Sequence, residues 1–115
     1  MLVVEDDFIV AFDMQTLLEE HGATVIGPAA NLAEAHAAMT TGTLPIHAAV
    51  LDVNVNGQYV FSLAAELRRA GVPFVFATAY ADDERLFPES LKAAPRLAKP
   101  VLPNALVGQL KRLLR

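Results

Sequence analysis

Short apolar runs alternate with helix-period segments along the whole chain, and this alternation restricts the possible folds more than any other feature. Leu2-Val3-Val4 opens as a short buried strand. Phe8 to His21 then carries Val10, Met14, Leu17, Leu18 and His21 on one helical face, and Gly22 stops it. Thr24-Val25-Ile26 is β-branched and predicts a second strand, punctuated by Gly27-Pro28. Asn31, with Glu34 three residues on, marks a helix start, and Leu32, Ala35 and Met39 supply that helix's apolar face. Thr40 to Pro45 reads as a loop. Ala48-Ala49-Val50-Leu51 predicts a third strand ending at Asp52, Asn54 to Gly57 a loop, and Val60, Leu63, Ala64 and Leu67 a third helix closed by Gly71. Phe74-Val75-Phe76-Ala77 predicts a fourth strand ending at Thr78. Asp82 to Ala93 is the weakest helical pattern, because Pro88 interrupts it. Arg96-Leu97-Ala98 predicts a fifth strand ending at Lys99-Pro100, and Leu106, Leu110, Leu113 and Leu114 form the face of a last helix.

Five strands strictly alternating with five helices predict an α/β fold, a doubly wound parallel sheet covered on both faces. The 115 residues are one domain's worth. A hydrophobic fraction of 54% supplies a core, and a charged fraction of 19% is too low for a disordered chain. The net charge of −4 argues against a basic nucleic-acid-binding face. The absence of cysteine excludes disulfide scaffolds, Cys-ligated zinc and thiol catalysis. The longest nearly apolar stretch, Val72 to Ala81, falls short of the roughly 20 residues a membrane span needs. With no signal-peptide pattern at the N-terminus, the expectation is a cytoplasmic protein of one domain, residues 1–115.

The polar residues fall where a parallel sheet would gather them. Strand one runs into Glu5-Asp6-Asp7, strand three into Asp52, strand four into Thr78 and strand five into Lys99. All these carboxyl ends share one edge, where open α/β sheets bind ligands. Clustered carboxylates repel one another, and a hard divalent cation removes that repulsion. Oxygen donors without His or Cys favour magnesium over zinc. Carboxylate, magnesium, lysine and hydroxyl together suit phosphoryl transfer, and a carboxylate can itself be the nucleophile. Each residue also has a plainer reading: Asp6 or Asp7 as a helix cap, Asp52 as a turn opener, Thr78 as an ordinary strand residue, Lys99 as a surface charge. Their joint placement at strand ends favours a shared site. His21, His36 and His47 match no metal-ligand spacing, and Gly22 and Gly27 make no dinucleotide fingerprint. Tyr59 and Phe61 read as packing, and Lys111, Arg112 and Arg115 as charges complementing the last helix's dipole.

The pieces Leu2-Val3-Val4-Glu5-Asp6-Asp7, Ala49-Val50-Leu51-Asp52-Val53-Asn54, Phe76-Ala77-Thr78-Ala79-Tyr80 and Lys99-Pro100, in this order, resemble the receiver domain of bacterial two-component response regulators, in its single-domain, chemotaxis-regulator-like form. The resemblance implies a flavodoxin-like strand order 2-1-3-4-5. It implies Asp52 as phosphoacceptor, Asp6 as direct Mg²⁺ ligand with Glu5 assisting through water, and the backbone carbonyl of Asn54 as a further ligand. Thr78 is implied as the switch hydroxyl and Lys99 as the cation contacting a phosphoryl oxygen, with a cis Lys99-Pro100 bond. Ala79 leaves space beside the acceptor, and Asn54 and Tyr80 stand where the family tunes dephosphorylation. Asp7 either joins the acidic pair or caps the first helix, and the strand pattern favours Glu5-Asp6 as the pair.

The implied partners are a histidine kinase or histidine phosphotransfer protein, and a downstream protein on the face of helix four, strand five and helix five. The implied state is a monomer or weak homodimer without direct nucleic-acid or membrane contact. The implied activity is self-assisted phosphorylation and dephosphorylation rather than turnover of an external substrate. The chain departs from the family pattern at Arg96, where an aromatic residue is usual, at Ala94-Pro95 before strand five, and at Phe87-Pro88 within helix four. These departures point to an unusual output surface or a mobile fourth helix, with Tyr80 standing in for the aromatic residue or Arg96 acting through its charge. The alternative reading is a receiver-like interaction module that works without phosphorylation. An aspartate-nucleophile phosphatase would need a substrate-selecting cap, for which 115 residues leave no room.

Overall fold

The computed structural model describes residues 1–42, 45–79 and 83–114. Tyr80, part of the switch expectation, and Arg115 lie outside the described residues. Strands β1 (Leu2–Val4), β2 (Ile26–Ala29), β3 (Ala49–Asp52), β6 (Phe74–Thr78) and β7 (Arg96–Ala98) form one parallel sheet in the order β2-β1-β3-β6-β7. Apart from a small hairpin, β4 (Asn54–Val55) with β5 (Gln58–Tyr59), this is the expected order 2-1-3-4-5. Among the described residues, α1 (Phe8–Glu20), α2 (Leu32–Thr41) and α3 (Phe61–Arg69) connect strands, and α4 (Pro103–Leu113) follows β7.

Successive strand residues face opposite sides, so the sheet carries two cores. Leu2, Val4, Leu51 and Phe76 pack with α2 and α3 through Ala35, Leu63 and Leu67. Val3, Val50 and Val75 pack with α1 and α4 through Met14, Leu18, Leu106 and Leu110. This is the doubly wound arrangement that continuous apolar strands require. Helix starts follow local chemistry. The Asp7 carboxylate accepts from the Ile9 and Val10 N–H groups at 3.0 and 3.2 Å, capping α1. Asn31 Oδ1 accepts from Glu34 N–H at 2.9 Å, and Glu34 reaches back to Ala30 N–H at 2.8 Å, a reciprocal cap for α2.

Four expectations are corrected. Strand β2 begins at Ile26, not Thr24, and runs through the cis Gly27-Pro28 bond rather than ending there. It is an edge strand, where proline is tolerated, and its register slips between Leu2↔Ile26 and Val4↔Ala29. Gly27 has φ +96°, and a Cβ there would stand 2.6 Å from Ala29 N, so only glycine fits. Residues 54–57 form most of a hairpin instead of a loop, with Asn56 and Gly57 at φ 52° and 82°, the left-handed pair that a tight two-residue turn demands. Over its described residues, 83–93, the predicted fourth helix is replaced by two three-residue 3₁₀ turns, Glu84–Leu86 and Glu89–Leu91, while Asp82 lies outside the described residues. Proline excludes the helical conformation from the residue before it and lacks an N–H, so Phe87-Pro88 divides the segment. In the last helix Leu106 and Leu110 are buried, but Leu114 lies past its end and is exposed. Among the described residues, no helix is long and apolar enough to cross a membrane.

Candidate functional site

Pairing registers bring the polar strand ends together. Leu2↔Ala49 and Val4↔Leu51 place Glu5 beside Asp52, Asp52 pairs with Ala77, and Thr78 pairs with Ala98 next to Lys99. One carboxylate oxygen each from Glu5, Asp6 and Asp52 lies within 4.8 Å of the others. Lys99 Nζ donates to Glu5 Oε1 at 2.5 Å and stands 3.3 Å from Asp52 Oδ2. The Lys99-Pro100 bond is cis, and Lys99 N–H donates to the Thr78 carbonyl at 3.0 Å.

The three acids differ in setting. Glu5 and Asp52 are buried and Asp6 is exposed. Glu5 Oε2 accepts from Asp7 N–H at 3.1 Å. Burial, and then the neighbouring Asp52, push the Glu5 carboxyl up to about 7 against the opposing pull of Lys99 and the Asp7 N–H. Burial works against the charge on Lys99, yet its bonds to Glu5 and the charge of Asp52 raise its pKa. Burial likewise opposes ionisation of Asp6, but the bond from Asn56 N–H, at 2.7 Å to Oδ2, leads the effects that hold it below the usual carboxylate range. Thr78 ends β6 fully buried, with its chain running into the same edge.

The donor set fits a hard divalent cation. It consists of carboxylate oxygens with no imidazole or thiolate, and it holds a buried acid that desolvation drives toward neutrality. Asp6 is exposed, whereas Glu5 is buried and already bonded to Lys99. Asn54, the first residue of β4, is exposed two positions past Asp52; it pairs with Tyr59, and its Oδ1 accepts from Gly57 N–H at 3.2 Å. Asp7 caps α1, one of its two readings. His36 lies with Glu66 across α2 and α3 at 3.0 Å, and the described acidic cluster contains no histidine. Asn56 was missed by side-chain reasoning because its contribution is a backbone N–H; the Asn-Gly pair was the available signal.

The chain resembles several solved structures over nearly its full length. SdrG from Sphingomonas melonis Fr1 is 31% identical with a TM-score of 0.81, covering 99% of this chain and 94% of that one. A protein from Chloroflexus aurantiacus described as a response regulator is 30% identical with a TM-score of 0.81, covering 98% and 94%. The signal receiver domain of a modulated diguanylate cyclase from Desulfovibrio desulfuricans is 26% identical with a TM-score of 0.81, covering 98% and 90%. No family model and no curated protein matches the sequence. With this fold, this edge and these neighbours, the chain belongs to the response-regulator receiver domains, a class of signalling domain.

Proposed function

We propose that this receiver domain is switched by phosphorylation of Asp52, with Mg²⁺ held by Asp6 and Asp52, by Glu5 through water, and by the carbonyl of Asn54. The observation that carries the reading is the Glu5–Asp6–Asp52 cluster within 4.8 Å with Lys99 across it. A histidine kinase or histidine phosphotransfer protein would present a phosphohistidine. An Asp52 carboxylate oxygen attacks the phosphorus, the new P–O bond forms, and the N–P bond breaks with its electron pair returning to the imidazole. Bound Mg²⁺ would neutralise charge developing on the phosphoryl oxygens. Lys99, poised between Glu5 and Asp52, turns one N–H toward a phosphoryl oxygen, and the Thr78 hydroxyl donates to another. The domain returns to its starting state by hydrolysis of its own acyl phosphate, so it is no turnover enzyme on an external substrate.

The donor protein must cover the rim of this edge. That rim is apolar and acidic: Phe8, Ile9 and Phe12 are exposed on α1, which starts directly after Asp6-Asp7, Leu102 is exposed just before α4, and a groove of about 610 Å³ between α1 and α4 reaches Lys99. A downstream protein would read the face formed by residues 83–95, β7 and α4, with the domain a cytoplasmic monomer or weak homodimer that touches neither nucleic acid nor membrane. Intact mass after incubation with acetyl phosphate and Mg²⁺ tests the reading. One phosphoryl adduct that disappears in Asp52→Asn and without Mg²⁺ is expected. Folded wild-type protein that gives no adduct with acetyl phosphate or with a phosphorylated donor would leave the phosphorylation-independent interaction module in its place.

A further inference from the structure

A continuous line of contacts runs from the acidic cluster to the segment between β6 and β7. It starts at Asp6, whose Oδ2 accepts from the Asn56 N–H at the tip of the β4–β5 hairpin, at 2.7 Å across 50 positions of sequence. The hairpin's two strands pair only with each other and stand outside the main sheet. At its far end Tyr59, 53% exposed, stacks on Phe61 with ring centroids 5.5 Å apart and planes 15° apart. Phe61 meets Phe87 at 5.6 Å, and Phe76 meets both rings from the sheet. Phe87 sits in the 83–95 segment and is covered from outside by the Arg96 guanidinium, 4.0 Å from the ring centroid. Arg96 also donates to the Lys92 carbonyl at 2.7 Å, closing the line on the segment's last turn.

We infer that this stack couples the state of the acidic cluster to the placement of residues 83–95, with Arg96 as the clamp that reads it. The inference rests on the phosphorylation reading and adds how its signal leaves the site. Cation or phosphoryl charge acts on the Asp6 carboxylate, and Asp6 holds the hairpin tip. The hairpin runs into Phe61 through the buried Val60, whose N–H donates to the Val53 carbonyl at 2.8 Å, and the Tyr59 ring lies on Phe61, one side of the slot that receives Phe87. The segment suits a readout because, up to Ala94, its backbone bonds are short-range turns: Leu86 N–H to Asp83 carbonyl, Leu91 N–H to Pro88 carbonyl and Ala94 N–H to Leu91 carbonyl; only Pro95, at its end, accepts from the sheet, from Phe76 N–H at 2.9 Å. Side chains fix it instead: Phe87 and Leu91 below, and bonds from Arg96 and Arg68 to carbonyls of its second half. Elements held this way open at lower free energy than a paired strand.

The test uses the full chain with Mg²⁺ and beryllofluoride, a stable stand-in for the phosphoryl group. Fluorine NMR reports occupancy of the site, and amide hydrogen exchange reports residues 83–95. In wild type, occupancy is expected to change exchange in this segment by about fivefold or more. Tyr59→Ala, at an exposed position, and Arg96→Gln, at a half-buried one, interrupt the stack at opposite ends, and circular dichroism checks that each is folded. Each should keep occupancy while its exchange response falls below about twofold, and Arg96→Lys, which restores a cation over the ring, should recover part of it. An occupied wild-type site with unchanged exchange overturns the coupling alone, as do variants that respond like wild type. A wild-type site that binds no beryllofluoride overturns the phosphorylation reading, and the coupling falls with it.

Discussion

The edge formed by β1, β3 and β6 and the span between β6 and β7 are built on opposite plans. At the edge, each strand residue is joined through ladder hydrogen bonds to neighbours distant in sequence, and apolar side chains cover both faces. In the described residues 83–94 of the span, backbone bonds reach three residues, and aromatic and arginine side chains do the fixing. The difference separates two duties. Converging acids need fixed distances, because an ångström changes what they can ligate. A region that reports on them needs alternatives close in free energy.

The largest expected effect contrasts the two plans directly. Leu51→Ala, in the fully buried centre of β3, should cost about 3–5 kcal/mol in urea unfolding. Leu91→Ala, though equally apolar and buried in the span, should cost about 2 kcal/mol, because two short turns can settle into the space. Equal losses at the two positions would mean that the span is as rigidly built as the sheet.

A second prediction probes the strain concentrated at the edge. The Glu5 carboxyl is raised from 4.5 to about 7 in the folded protein. Between those values the folded state keeps a proton that the unfolded chain has released, so without divalent cation stability should fall as pH rises from about 4.5 to about 7. Asp6, whose pKa is lowered, acts in the opposite sense: its contribution is present above its ordinary 3.8 and is lost as pH falls further. Urea midpoints in chelator across the window should show the decline, and Glu5→Gln should flatten it. Mg²⁺ affinity should rise across the same window as Glu5 gives up its proton. A midpoint that climbs with pH in chelator would contradict the burial of Glu5. The smallest effect lies where the edge meets α1: Asp7→Ala should cost about 1 kcal/mol from the lost cap while leaving Mg²⁺ binding intact. Lost binding in that variant would return Asp7 to the ligand set.

The sheet was legible in the sequence because β3 and β6 are apolar runs that end abruptly in Asp52 and Thr78, the short β7 leads into Lys99, and a parallel sheet turns such endings into a place. The parts that escaped have physical reasons. Two-residue strands such as Asn54–Val55 are too short to show a period, so the hairpin was visible only as its Asn-Gly turn. The early part of β2 was misplaced because β-branched Thr24 and Val25 score as strand, whereas the actual edge pairing begins at Ile26 and continues through Gly27-Pro28. The weak fourth helix was marked by Pro88, but no pattern could show that Phe87 would be buried under Arg96. In the sequence Arg96 is legible only as a charge, and the fold sets that charge over the Phe87 ring.

The Glu5–Lys99 bond joins residues 94 positions apart, the two ends of the strand series. Closing so long a loop is entropically costly and waits for the intervening strands to pair. A chain still emerging from the ribosome, or one cut before β7, carries every acid of the cluster but lacks its cation. The edge therefore doubles as a proof of completion: the lysine arrives last, so the acids meet their cationic partner only when the whole sheet has closed.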